Sequence, residues 1–427
     1  MLLFLYILIT PLISCYHIFP FTDSSKSKIN ICIGTPCQNI NLNIFFSSCV
    51  SYIHRPSSNV SSTYNIYKHS QSSTNKVKSP YQYKEDYPLL HYSVIGALHS
   101  DILHESQLNF LYIDRYESLT TNIETYYNYI INNKYESLLA LCYIANDNLQ
   151  AFSLLHQMNL KYKVITITNQ HIIFGKTDSI IKDYTHYGTC SLINNDYASP
   201  NKENQFWECT LLGVSAYIPQ SSQLSLFNMK LNNVVMFEYG VNKTYFPIEM
   251  LLQFEVEVFR DAIDDDICVF GIKNDVYTFT CNDKILTKEF PNFKLEIGYF
   301  IMTINGKELF IYDKINNEYE FGIYAIDSNK KFILGKNILG KYILVYDKTH
   351  EYFGMYNKDT ISYIKEFNDH NKRIFNDDYY INTIKFIDYN NNECLYLIII
   401  MLIMLMGVSL IYISLTKFYL NKLLNKI

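Results

Sequence analysis

Residues 29–53 read INICIGTPCQNINLNIFFSSCVSYI. Ile29, Ile31 and Ile33 recur at every second position, which puts three apolar side chains on one face of a short strand. Gly34-Thr35-Pro36 then supplies a turn. Alternation resumes at Ile40, Leu42 and Ile44, so the stretch predicts a β-hairpin. The second strand runs into Phe45-Phe46-Ser47-Ser48-Cys49, and the chain leaves through Tyr52-Ile53.

Beyond the hairpin, 427 residues suit one large two-lobed domain or two ordinary ones, and a hydrophobic content of 48% supplies a core. Gly numbers only 14, well under the usual share of roughly 7%. A net charge of −5 gives no basic field, which argues against nucleic acid as a partner.

Two apolar segments set the compartment. Residues 1–15 read as a signal peptide, although they lack a basic leading region. Residues 395–415 (LYLIIIMLIMLMGVSLIYISL) carry no charge, and about 20 such residues span a bilayer. Lys417, Lys422 and Lys426 follow this run, while Asp388 and Glu393 precede it. The positive-inside rule then predicts a single-pass type I protein, with residues 416–427 as a cytoplasmic tail. The ectodomain would lie in the secretory pathway or at the cell surface, above a polar stalk at 358–393. In that compartment Cys32, Cys37, Cys49, Cys142, Cys190, Cys209, Cys268 and Cys281 are expected to pair as disulfides. Their spacing suits no zinc site, and their connectivity stays open among 105 possibilities. Asn59-Val60-Ser61 and Asn242-Lys243-Thr244 are glycosylation sequences. Residues 57–87 are polar and read as an exposed insertion or long loop.

The opening hairpin resembles the first active-site segment of pepsin-like aspartic proteases: apolar–GTP–x–Gln–strand–Asp-Thr-Gly-Ser-Ser–x–x–Trp-Val. Gln38 stands at that family's Gln, but Phe45, Phe46 and Ser47 stand where Asp-Thr-Gly would be. Further matches follow in family order. Gly96, Leu98 and Asp101 are similar to the strand that returns from the family's flap. No Gly lies between Tyr81 and Ile95, so the flap tip is altered and neither Tyr87 nor Tyr92 can be assigned as its tyrosine. Residues 135–143 and 164–178 are similar to the strands that close the first lobe. Phe206-Trp207 resembles the start of the second lobe, and residues 331–356 resemble its closing hairpin. Residues 232–247 (NNVVMFEYGVNKTYFP) resemble the second active-site loop. Counting back from Pro247 puts Glu238 at the second Asp, Tyr239 at the hydroxyl residue and Gly240 at the Gly. The resemblance implies a mainly β, bilobal pepsin-like acid protease fold with a C-terminal transmembrane helix. Its lobes would be residues 28–190 and 206–357, joined by a linker at 191–205.

The resemblance also implies hydrolysis by two Asp that share a proton and activate water. Phe45 can do neither. Glu238 is expected to sit against Phe45 and Phe46, where desolvation raises its pKa. Phe46 and Tyr239 replace the family's loop-locking hydroxyls and are expected to pack across the lobe interface. A nucleophile among Ser47, Ser48 and Cys49, with His54 as base, lacks any sign of an oxyanion hole. Residues 264–266 read as a solvated acidic loop, and neither a metal nor a cofactor is expected. The first reading is a membrane-anchored pseudoprotease whose cleft binds peptide or protein, or which serves a structural role. The alternative is an aspartic endopeptidase active through an altered dyad that uses Glu238.

Overall fold

The computed structural model describes residues 16–23, 26–54, 67–87, 92–103, 106–119, 137–143, 154–158, 160, 162–175, 181, 184–193, 206–219, 225–273, 275–326 and 330–357. The fold is mainly β. Its opening hairpin forms as expected: Lys28–Ile33 pairs antiparallel with Gln38–Phe45, with Ile29 opposite Leu42 and Ile31 opposite Ile40. Ile29, Ile31, Ile33, Ile40, Leu42 and Ile44 are all buried, so the alternation does mark the core-facing side.

This hairpin starts a seven-stranded sheet that continues through Ser137–Ala140, Tyr52–His54, Ser106–Ser118, Tyr92–Leu103 and Lys76–Tyr87. A second seven-stranded sheet runs Phe300–Ile304, Asn292–Ile297, Glu208–Tyr217, Ser225–Phe237, Phe332–Leu334, Thr244–Tyr245, Ile323–Tyr324. The centres of the two sheets are wired alike. Gln38–Phe45 runs parallel to Ser137–Ala140, which lies antiparallel to Tyr52–His54, itself parallel to Ser106–Ser118. Ser225–Phe237 runs parallel to Phe332–Leu334, which lies antiparallel to Thr244–Tyr245, itself parallel to Ile323–Tyr324. Both middle strands, SLLA and FIL, are buried at every position, as strands covered on both faces require. Loops 46–51 and 238–243 therefore occupy equivalent places in the two sheets.

A six-stranded sheet draws on both halves of the chain. Its order is Tyr16–Pro20, His171–Gly175, Val164–Ile167, Tyr342–Asp347, Tyr352–Asn357, Thr185–Ser191. The central pairing sets Leu344 opposite Ile167 and Val345 opposite Thr166. The hairpin expected near the end of the match, Tyr342–Asp347 with Tyr352–Asn357, is present. Met1–Thr177 and Asp183–Asp359 form one compact unit. A small sheet of Cys268–Lys273, Val276–Cys281, Glu318–Phe321 and Phe310–Asp313 completes the architecture.

Residues 57–87 are not simply a loop. Lys76–Tyr87 is a strand of twelve residues, paired antiparallel with Tyr92–Leu103. It lies at the edge of its sheet, where polar side chains and a proline are tolerated, and its register slips between Val77 and Gln82. Its composition hid it because an edge strand is specified by its partner more than by its own burial.

All eight expected cysteines pair: Cys32–Cys37, Cys49–Cys142, Cys190–Cys209 and Cys268–Cys281. The proposed signal peptide, Asn59, linker residues 194–205, the stalk, the apolar run at 395–415 and the tail lie outside the described residues. Among the described residues no helix is long and apolar enough to cross a membrane.

Candidate functional site

The candidate site is built where the two equivalent loops meet. Phe45 ends one central strand opposite Ala140, and Phe237 ends the other opposite Leu334. Leu141 N donates to Phe45 O at 2.7 Å, and Glu238 N donates to Leu334 O at 2.9 Å. Each loop is thus held to the middle strand of its own sheet before any side chain is considered.

Glu238 is wholly buried. Its Oε1 accepts from Gly240 N at 2.7 Å and from Phe46 N at 3.0 Å. Its Oε2 accepts from Phe46 N at 3.0 Å and from Ser47 N at 2.5 Å. One carboxylate therefore ties three backbone N–H groups of two loops together. Gly240 makes the approach feasible, since a Cβ there would lie 2.2 Å from Ile44 O and 2.8 Å from Glu238 Oε1. Burial pushes the Glu238 carboxyl up to about 7, against the opposing pull of the Ser47 hydroxyl and the backbone donors. Ser47 Oγ is buried beside this group but meets no full hydrogen-bond geometry of its own.

The neighbours of the carboxylate are aromatic. Phe45, at 3% exposure, faces Tyr87 with ring centroids 6.1 Å apart. Phe46 stacks on Tyr346 at 4.3 Å, and Tyr239 lies over Phe21 at 6.3 Å. Phe46 and Tyr239 are thus packing groups. Lys336 Nζ sits 5.9 Å from the Tyr239 ring, and burial lowers its pKa to about 8. The aromatic packing beside Phe45 continues through Tyr52, Tyr87 and Tyr92, all buried. Tyr87 OH donates to Val50 O at 2.5 Å, and the Tyr52 and Tyr92 hydroxyls are hydrogen-bonded to each other. Tyr87 and Tyr92 flank residues 88–91, which lie outside the described residues. Phe45, Val50 and Tyr92 share one buried apolar cluster with Met236, Val241 and Tyr324 of the second half.

Of the residues around the site that the sequence singled out, several have partners that it did not give, and one carboxylate group away from the site was missed. Trp207 Nε1 donates to Leu141 O at 2.6 Å, anchoring the second half on the strand that supports the first loop. Cys49 is committed to a disulfide with Cys142, which removes it as a nucleophile. Ser48 Oγ accepts from Val50 N at 3.2 Å. In the acidic stretch 264–266, Asp265 is paired with Lys288 at 2.6 Å. A different carboxylate group, Asp313, Glu318 and Glu320, surrounds Lys273 Nζ at 2.7, 2.5 and 2.5 Å. The alternation of Phe310–Asp313 and Glu318–Phe321 across a hairpin was the available signal for that cluster.

Chemically, the site offers one buried carboxyl group, three N–H donors already engaged with it, and an apolar wall. Phe45, which ends the strand leading into the equivalent loop, supplies neither a base nor a ligand atom. No model of a known protein family matches this chain, and no curated protein matches it either.

Proposed function

We propose that this chain is a pepsin-fold protein that has lost the aspartic dyad and acts without hydrolysing peptides, as a membrane-anchored pseudoprotease. Support for the bilobal reading comes from the two identically wired sheet centres and from the six-stranded sheet that joins both halves. The observation that carries the functional reading is the use of Glu238. Its carboxylate is consumed as an acceptor for Phe46 N, Ser47 N and Gly240 N, while Phe45 fills the equivalent position. A water-activating dyad needs two carboxyl groups with opposite protonation. Burial of Phe45, Tyr92 and Met236 in one cluster favours a structural role over an open peptide-binding cleft.

The test is incubation of the purified ectodomain with a mixed peptide library between about pH 3 and 7, spanning the reference carboxyl range. A statine-type transition-state inhibitor serves as the specificity control. No turnover is expected. Cleavage abolished both by this inhibitor and by Glu238→Gln would overturn the proposal. Retention of library peptides without cleavage would assign the protein to the binding form of the same reading.

A further inference from the structure

We infer that Asn242 carries an N-linked glycan, an assignment that rests on the lumenal reading above. Asn242-Lys243-Thr244 lies on the loop whose backbone Glu238 holds. Within it Val241 and Thr244 are buried, and Asn242 is exposed. An Asn in a bend usually has a local reason, because its side chain bonds nearby backbone. Asn282 and Asn305 do this, accepting from Lys284 N and Lys307 N. The Asn242 carboxamide makes no hydrogen bond among the described residues, while its backbone carbonyl accepts from Asn337 N at 3.3 Å. Local structure therefore does not account for an amide at this position, whereas a modification acceptor needs such an outward, unengaged amide.

Thr244 has the reverse character. Its hydroxyl accepts from Gly335 N at 3.0 Å and donates to Asn337 Oδ1 at 2.6 Å. The finished fold thus hides the hydroxyl that a glycosyl transferase must read, so transfer takes place on the nascent chain. The Asn242 carboxamide nitrogen attacks the anomeric carbon of a lipid-pyrophosphate-linked oligosaccharide. A nitrogen–carbon bond forms, the carbon–oxygen bond to pyrophosphate breaks, and the amide loses a proton to a base. The lipid pyrophosphate leaves. No oxidant or reductant is required. The finished glycan projects from the exposed position of the loop whose backbone Glu238 holds.

The chain holds two Asn-x-Ser/Thr sequences, at Asn59 and Asn242, so Asn59→Gln isolates the second. The experiment expresses the full chain in a eukaryotic secretory host and treats it with peptide:N-glycosidase F. The Asn59→Gln protein is expected to show one mobility step, with position 242 converted to the acid by mass spectrometry. The Asn59→Gln/Asn242→Gln protein is expected to show none. Absence of the step in Asn59→Gln, with the ectodomain protected from protease in intact microsomes, overturns the Asn242 assignment and leaves the lumenal reading standing. Absence of the step with the ectodomain open to protease overturns both.

Discussion

Glu238 is the residue on which the candidate site turns. Replacing it with Ala would leave the N–H groups of Phe46, Ser47 and Gly240 without this acceptor in a buried place. Each such donor costs about 1–3 kcal/mol, so Glu238→Ala is expected to lose several kcal/mol in urea unfolding. The pH dependence has a definite sign. Burial holds the carboxyl protonated up to about pH 7 in the fold, against an ordinary value of 4.5. The native state therefore binds the extra proton between those values, and the contribution to stability is fully present below about pH 4.5 and lost as pH rises to about 7. Its size is on the order of 3 kcal/mol. Glu85, also raised to about 7 by burial, slopes the same way. The expected outcome is that Glu238→Gln flattens, without abolishing, the fall in stability between pH 4.5 and 7. An unchanged slope would mean that Glu238 is ionised throughout.

At the scale of elements, the disulfides act on different lengths of chain. Cys49–Cys142 spans 93 residues and ties the first loop to the end of its middle strand, whereas Cys32–Cys37 spans 5 and closes one turn. Loop-closure entropy gives about 4.7 kcal/mol for a loop near 100 residues and roughly half that for the shortest loops. Cys49→Ala/Cys142→Ala should therefore lower the urea midpoint more than Cys32→Ala/Cys37→Ala does. Equal losses would mean that local strain, and not chain entropy, sets the contribution. Non-reducing peptide mapping should recover the four pairs as described.

At the scale of the whole molecule, the six-stranded sheet makes the halves interdependent. Its two inner strands, Val164–Ile167 and Tyr342–Asp347, come from the first and second halves of the chain. A chain ending at residue 340 would expose an edge in the middle of that sheet and remove Tyr346, on which Phe46 and Trp207 pack. Such a truncation is expected to unfold the first half along with the second, read as loss of protease resistance in residues 28–175. Trp207, the single Trp, is fully buried and offers a direct probe. Its emission should shift to the red in the same transition that circular dichroism reports, and two separate transitions would show that the halves unfold independently.

The sequence by itself determined what depends on near neighbours along the chain. Period-two alternation marked Ile29–Ile33 and Gln38–Phe45 as a hairpin, and the family resemblance of residues 331–356 implied the closing hairpin around Tyr346 and Phe353. The resemblance, counted along the chain from Gln38 and back from Pro247, singled out Phe45 and Glu238, because a motif's spacing is a local property of the chain. Only the tertiary structure decided what Glu238 does there. Phe46 N and Ser47 N lie 192 and 191 residues from it, and their bonds form because two loops approach closely over Gly240. The strand Lys76–Tyr87, the Lys273 cluster and the four disulfide partners were settled in the same way. Each depends on which distant groups the fold brings within bonding distance, and hydrogen bonds, ion pairs and disulfides act over a few ångströms irrespective of separation along the chain.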